Sequence, residues 1–199
     1  MSSRNKIGIA VLIGVGVPFY IAGTYNALIR SNQRVQAQWS QVENVYQRRQ
    51  DLVPNLVETV KGAAGFEKST YLAVADARAK VGQVSASATN PANDPAQFAK
   101  VQQAQDGLSS ALSRLMVVVE GYPNLKATEN FRDLQVQLEG TENRIAVERM
   151  RFNEAAQAFN SRRDSFPTNL VANLSGARFQ DKSYFKAQAQ AETAPQVKF

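Results

Sequence analysis

From Ile7 to Ile29 the chain carries no charged side chain, with Arg4 and Lys6 before the run and Arg30 directly after it. At a helical rise of about 1.5 Å per residue, the ~20 apolar residues needed to cross a hydrocarbon core are in place by Tyr25. Past Ile29 the chain reads almost wholly as amphipathic helix. A cleaved signal peptide would close on a small-x-small site. Here the nearest small pair is Ala22-Gly23, and Tyr20 stands where a small residue is needed. The run is therefore expected to be an uncleaved single-pass anchor. Pro18 lies inside it, and the small-xxx-small pairs Ala10/Gly14 and Gly23/Ala27 would permit close approach of a second helix.

Beyond the anchor, apolar positions step by three and four from Tyr25 to about Val81, through Val35, Trp39, Val42, Tyr46, Val53, Leu56 and Val60. Pro54 interrupts this stripe without shifting its phase, which predicts a kink and not a reversal; a reversal would add a fourth long arm. Residues 82–95 are small and polar and predict a loop. Asp94-Pro95-Ala96-Gln97 then has the order of an N-cap, an N1 proline and a capping-box glutamine. A heptad-like seam runs from Phe98 through Val101, Gln105, Leu108, Leu112 and Leu115 to Val119, stopped by Gly121-Tyr122-Pro123. The last long helix is predicted from near Thr128 to about Ser165, with one more short turn of helix over 168–174.

These elements predict an all-α fold: an antiparallel helical bundle of three to four long helices behind an N-terminal transmembrane helix. The boundaries are a short basic N-terminus (1–6), the anchor (7–29), the bundle (30–175) and a polar, flexible C-terminal tail (176–199).

With neither Cys nor His in the chain, thiolate nucleophiles, Cys/His zinc sites and His general bases are excluded. Carboxylate-bridged metal centres in bundles use Glu-x-x-His, so metal is not expected, and no phosphate-loop motif is present. Setting aside Arg4 and Lys6, 21 basic residues face 17 acidic ones, a net of +4 in a mixed surface with no Lys/Arg run longer than two. That is not a nucleic-acid stripe, although Arg30 and Arg34 could meet anionic lipid.

Polar residues interrupt the apolar stripes at Arg49, Gln105, Thr141 and Glu148, with Arg48, Glu58, Glu142 and Arg144 close beside them. One reading is a partly buried network in which Glu142 or Glu148 pairs with Arg48 or Arg49 and sets the register between helices. The other is that these side chains reach the bundle edge and are solvated. A hydrolytic carboxylate pair would need a cleft, which narrow bundle seams do not offer, so no catalytic or cofactor-binding residue is assigned.

Laid out in full, the chain resembles the LemA family of bacterial membrane proteins from about Tyr25 to Phe185. The matching segments are WSQVE (Trp39–Glu43), RRQDLVPNLVETVKG (Arg48–Gly62), ALSRLMVVVEGYPNLKATENF (Ala111–Phe131), LQVQLEGTENRIAVERMRFNEA (Leu134–Ala155) and FNSRRDSFPTNL (Phe159–Leu170). Ala63 departs from the family, which more often has an aromatic residue there. The resemblance implies a single-pass anchor and a four-helix antiparallel bundle, and brings no catalytic residue or cofactor.

The expected function is a non-enzymatic, membrane-anchored scaffold in the bacterial inner membrane. It would assemble with itself, recruit a membrane-protein partner, or both, with no nucleic acid and no small-molecule substrate. The alternative is an accessory or adaptor subunit of a membrane enzyme such as an envelope quality-control peptidase. A short basic N-terminus keeps that end cytoplasmic and puts the bundle outside, while the arginines after the span pull the other way.

Overall fold

The computed structural model describes the backbone of residues 3–186 and the side chains from Gly14 onward. It is all-α, with no strand among the described residues. Helix α1 (Ser3–Lys61) is followed by α2 (Lys68–Ser87), α3 (Pro95–Val119), the single turn α4 (Pro123–Lys126), α5 (Glu129–Asp164) and α6 (Thr168–Leu174). Short 3-10 turns lie at Pro91–Asn93 and Gly176–Phe179.

Helix α1 passes through Pro54 without ending. The proline removes one backbone hydrogen bond, but Val53 and Leu56 beside it are fully buried, and that burial holds the helix on course. The chain reverses instead after Lys61, where the apolar periodicity predicts one face continuing to Val81. Gly65 sits at φ +76°, a left-handed conformation open to glycine without steric cost. The next residue, Phe66, packs at 4.9 Å on Tyr122, whose hydroxyl donates to the Gly65 carbonyl at 2.8 Å. Four long helices, α1, α2, α3 and α5, therefore make the bundle. Arg162 reaches the Ala27 carbonyl, Arg149 meets Tyr46, and Arg49 meets Glu142, so α5 descends as α1 ascends.

Two boundaries differ from those the sequence predicts. The loop expected over 82–95 starts only at Ala88, because α2 continues to Ser87. Val81 is fully buried and Val84 packs against both halves of the core, so tertiary packing overrides a small, polar composition. From there the prediction matches: Asp94 caps α3 by accepting from the N–H groups of Ala96 and Gln97. The second difference is the tail. Phe179, Lys182 and Phe185 are buried, so the chain up to Phe185 belongs to the bundle. The rest of the predicted tail, 187–199, lies outside the described residues.

Among the described residues no helix is long and apolar enough to cross a membrane. Of the predicted span, the side chains of residues 7–13 lie outside what the structure describes. The described part, from Gly14 to Gly23, is exposed at every position, and α1 there stands clear of the other helices.

Candidate functional site

The core has two parts. One, built on Leu52, Leu56, Val60, Leu108, Leu115 and Phe131, is mainly aliphatic. The other, built on Trp39, Phe98, Phe152, Phe159, Phe179 and Phe185, is mainly aromatic. Along α1 the changeover falls between Tyr46 and Leu52, along α3 beside Gln105, and along α5 between Leu138 and Ile145. Arg49 occupies that level and is completely buried.

Arg49 donates through one terminal nitrogen to Ser109 Oγ and, at 2.6 Å, to Glu142 Oε1. Its other terminal nitrogen donates to the Gln105 backbone carbonyl at 3.1 Å and to the Gln105 side-chain oxygen. A planar guanidinium with several donors can satisfy such divergent acceptors, whereas a lysine ammonium presents a single point charge. Three helices are thus tied at one height by one side chain.

Of the residues singled out from the sequence, the structure brings Arg49, Gln105 and Glu142 together. Thr141 is buried in the same layer but donates to the Gln137 carbonyl of its own helix. Glu148 accepts from Gln38 on α1 and pairs with Arg151 one turn along α5, and so does not serve as the partner of Arg49. Glu58 pairs locally with Lys61 on the surface. Arg48 and Arg144 are exposed.

Sequence reasoning misses Ser109 and a second cluster one step away. There Arg149 donates to the Tyr46 hydroxyl at 2.9 Å and to Asp106 at 3.0 Å. Its guanidinium also lies 5.0 Å from the centre of the Phe185 ring. Burial pushes the pKa of the Tyr46 hydroxyl up against the pull of the Arg149 charge, so that it accepts from Arg149 in its protonated form. Arg149 follows Glu148 in sequence, where its only signal is its position one turn after Ile145.

The C-terminal segment is the other missed feature. Gly176, at φ +61°, turns the chain back after α6, and Gln180 takes φ −71° and ψ 154°, the polyproline II conformation. Residues 179, 182 and 185, three apart along this segment, are buried. Two asparagines of α5 hold its backbone at both polar groups. Asn160 accepts from the Lys182 N–H and donates to the Lys182 carbonyl, at 2.8 and 3.0 Å. Asn153 does the same for Phe185, at 2.8 and 3.0 Å. Arg163 donates to the Phe179 carbonyl at 2.6 Å. Phe185 then stacks on Trp39 at 5.9 Å and packs on Phe98 at 4.7 Å and Phe152 at 5.4 Å.

Lys182 is buried in this strap with its ammonium against Asn93 and over the face of Phe159 at 4.8 Å. Burial pulls its pKa from the ordinary 10.5 down to about 8, partly opposed by the charge of Asp181. The unfolded chain therefore binds more protons at this position than the folded one between those two values. Stability rises with pH across that window, and below pH 8 the full penalty of a buried charge is present. Lys182→Met is expected to raise the melting temperature at pH 7, and the advantage over the native chain should shrink as pH climbs past 8. A constant difference across that range would contradict this assignment.

Chemically, the side chains gathered here position the helices and the strap. An open groove of about 510 Å³ between α3 and α5 is lined by Ser109, Glu142, Arg149, Asn153 and Phe185. Each polar group named in it is engaged in a contact that holds the helices or the strap. Among the described residues no group of three or more acidic side chains could hold a metal ion.

A family model described as LemA family matches residues 38–199. A magnetosome protein MamQ of Magnetospirillum gryphiswaldense is 27% identical over 211 residues, covering 96% of this chain and 76% of its own. Magnetosome protein MamQ 2 of Paramagnetospirillum magneticum is 28% identical over 186 residues, covering 85% and 67%. A protein LemA of Metamycoplasma hominis is 24% identical over 162 residues, covering 81% and 69%. Neither the family description nor these names denotes an enzyme.

Proposed function

We propose, from the premise that this chain belongs to the LemA family, that it is a non-enzymatic scaffold held at the bacterial inner membrane by the start of α1. The observation that carries this reading is the continuity of α1. One helix joins the uncharged run beginning at Ile7 to the innermost layer of the bundle at Arg49. A pull or tilt on the anchored end is transmitted directly to the packed core, with no linker between them. Exposed apolar side chains at Val15, Val17 and Phe19 on the described part of that run support the same reading. So do the relatives named as magnetosome proteins.

The scaffold assembles with itself or recruits a membrane-protein partner. Tethering concentrates copies in one plane, so contacts too weak to pair free bundles suffice there. Crosslinking in native membranes tests this. Self-crosslinked species, or one reproducible membrane partner, are expected. A strictly monomeric pattern with nothing attached would overturn the scaffold reading, and crosslinks to a membrane enzyme alone would favour the adaptor alternative.

A further inference from the structure

We infer that the α5–α6 corner is a second membrane contact, a foot that rests its apolar side chains in the lipid interface beside the anchor. This rests on the membrane reading of α1 given above. Helix α6 packs inward through Val171 and Ala172, which are buried, and leaves Leu170 and Leu174 one helical turn apart on its opposite face. Their exposures are 60% and 88%, and Phe166 in the connector ahead of α6 is 81% exposed. Single exposed apolar residues are ordinary on any surface. Here, however, the three most exposed large apolar side chains among the described residues are Leu174, Phe166 and Phe19, all at one end of the molecule.

The height of that end along α1 is set by contacts. Arg162, two residues before the end of α5, reaches the carbonyl of Ala27. Tyr25 meets Phe179 edge-on at 5.5 Å, under the guanidinium of Arg178. The corner therefore lies level with the point where the uncharged run of α1 enters the bundle, which is where a bilayer surface would be. A lipid surface also matches the charge nearby. Arg30, Arg34, Arg151 and Arg162 line an open groove of about 870 Å³ between α1 and α5, with Glu154 the acidic residue in its wall. An apolar tip with an arginine-lined groove above it fits acyl chains below anionic headgroups, the two aspartates at the corner, Asp164 and Asp181, being paired with Arg163.

The absence of cysteine makes the test direct, since one introduced thiol carries the only label. The full-length protein is reconstituted in vesicles of phosphatidylcholine and phosphatidylglycerol with an environment-sensitive fluorophore on Phe166→Cys, Leu170→Cys or Leu174→Cys. Val17→Cys reports on the anchor and Val117→Cys, 72% exposed on α3, serves as the aqueous control. Labels at the corner and at Val17 should shift to the blue and lose emission to acyl-chain quenchers, while Val117 does neither. Quenching at Val17 with a corner that behaves like Val117 overturns the foot and leaves the anchor standing. No quenching at Val17 overturns the anchor and the foot together. Loss of corner quenching in vesicles without phosphatidylglycerol would support the groove arginines as the charged part of the contact.

Discussion

Replacing Arg49 by methionine is expected to destabilise the bundle by about 3 kcal/mol, the usual scale for removing one partner from a buried charged network. The loss comes less from Glu142, which remains partly hydrated, than from Gln105, whose side chain is buried and has Arg49 as its partner. An apolar side chain would leave the Gln105 amide oxygen and the Ser109 hydroxyl facing it without a donor, and unmet buried groups carry the larger part of such penalties. Arg49→Lys should recover little, because one ammonium cannot reach acceptors on both α3 and α5. Adding Gln105→Leu to Arg49→Met should restore part of the lost stability, since the stranded amide is removed as well. The denaturant midpoint of the full-length protein in detergent reads all three, with Arg144→Ala as an exposed control within about 0.5 kcal/mol. An Arg49→Met midpoint equal to that of the native protein would remove the polar layer from the account.

Truncating Phe185 to alanine is expected to cost about 3–4 kcal/mol, as for other buried phenylalanines. The residue closes the aromatic half of the core, and its loss opens a cavity bounded by Trp39, Phe98 and Phe152. It also removes the ring on which the Arg149 guanidinium rests. The same truncation at Phe166, which is exposed, should change stability by no more than about 0.5 kcal/mol. The comparison separates a strap that completes the core from a tail that merely trails behind it. Equal, small effects at both positions would mean that the strap contributes no packing energy.

The helices and most of their ends are readable because each has its own apolar period and stop signals. Gly121-Tyr122-Pro123 and Phe166-Pro167 announce their breaks locally. Arg49 and Gln105 are visible for the same reason, as polar side chains on otherwise apolar stripes. Which carboxylate Arg49 meets is not legible in the same way. That choice depends on the register of α1 against α5, across more than ninety intervening residues. The turn at Gly65 is hidden because the apolar positions on either side continue in phase, and a stripe carries no sign of direction. The strap is hidden for a different reason. Its three-residue period matches neither a helix nor a strand, and the central inward residue is a lysine, which composition assigns to solvent. Asn153 and Asn160, seven residues apart on α5, are the one local hint of a clamped backbone.

The polar layer and the proposed anchor lie on the same helix, α1. A helix that fixes the register of α3 and α5 through Arg49 can hold the whole bundle in a defined attitude to whatever grips its first residues. If the corner formed by α5 and α6 is the second contact inferred above, two points of support would fix which face of the bundle is turned away from the bilayer.

The scaffold reading and the inferred foot both depend on the uncharged start of α1 holding the protein in lipid. Washing native membranes with alkaline carbonate, with detection of the intact chain from its first residue, asks that question most directly. Retention of the full-length protein in the membrane pellet is the expected result. Its release, uncleaved, into the supernatant would contradict the account.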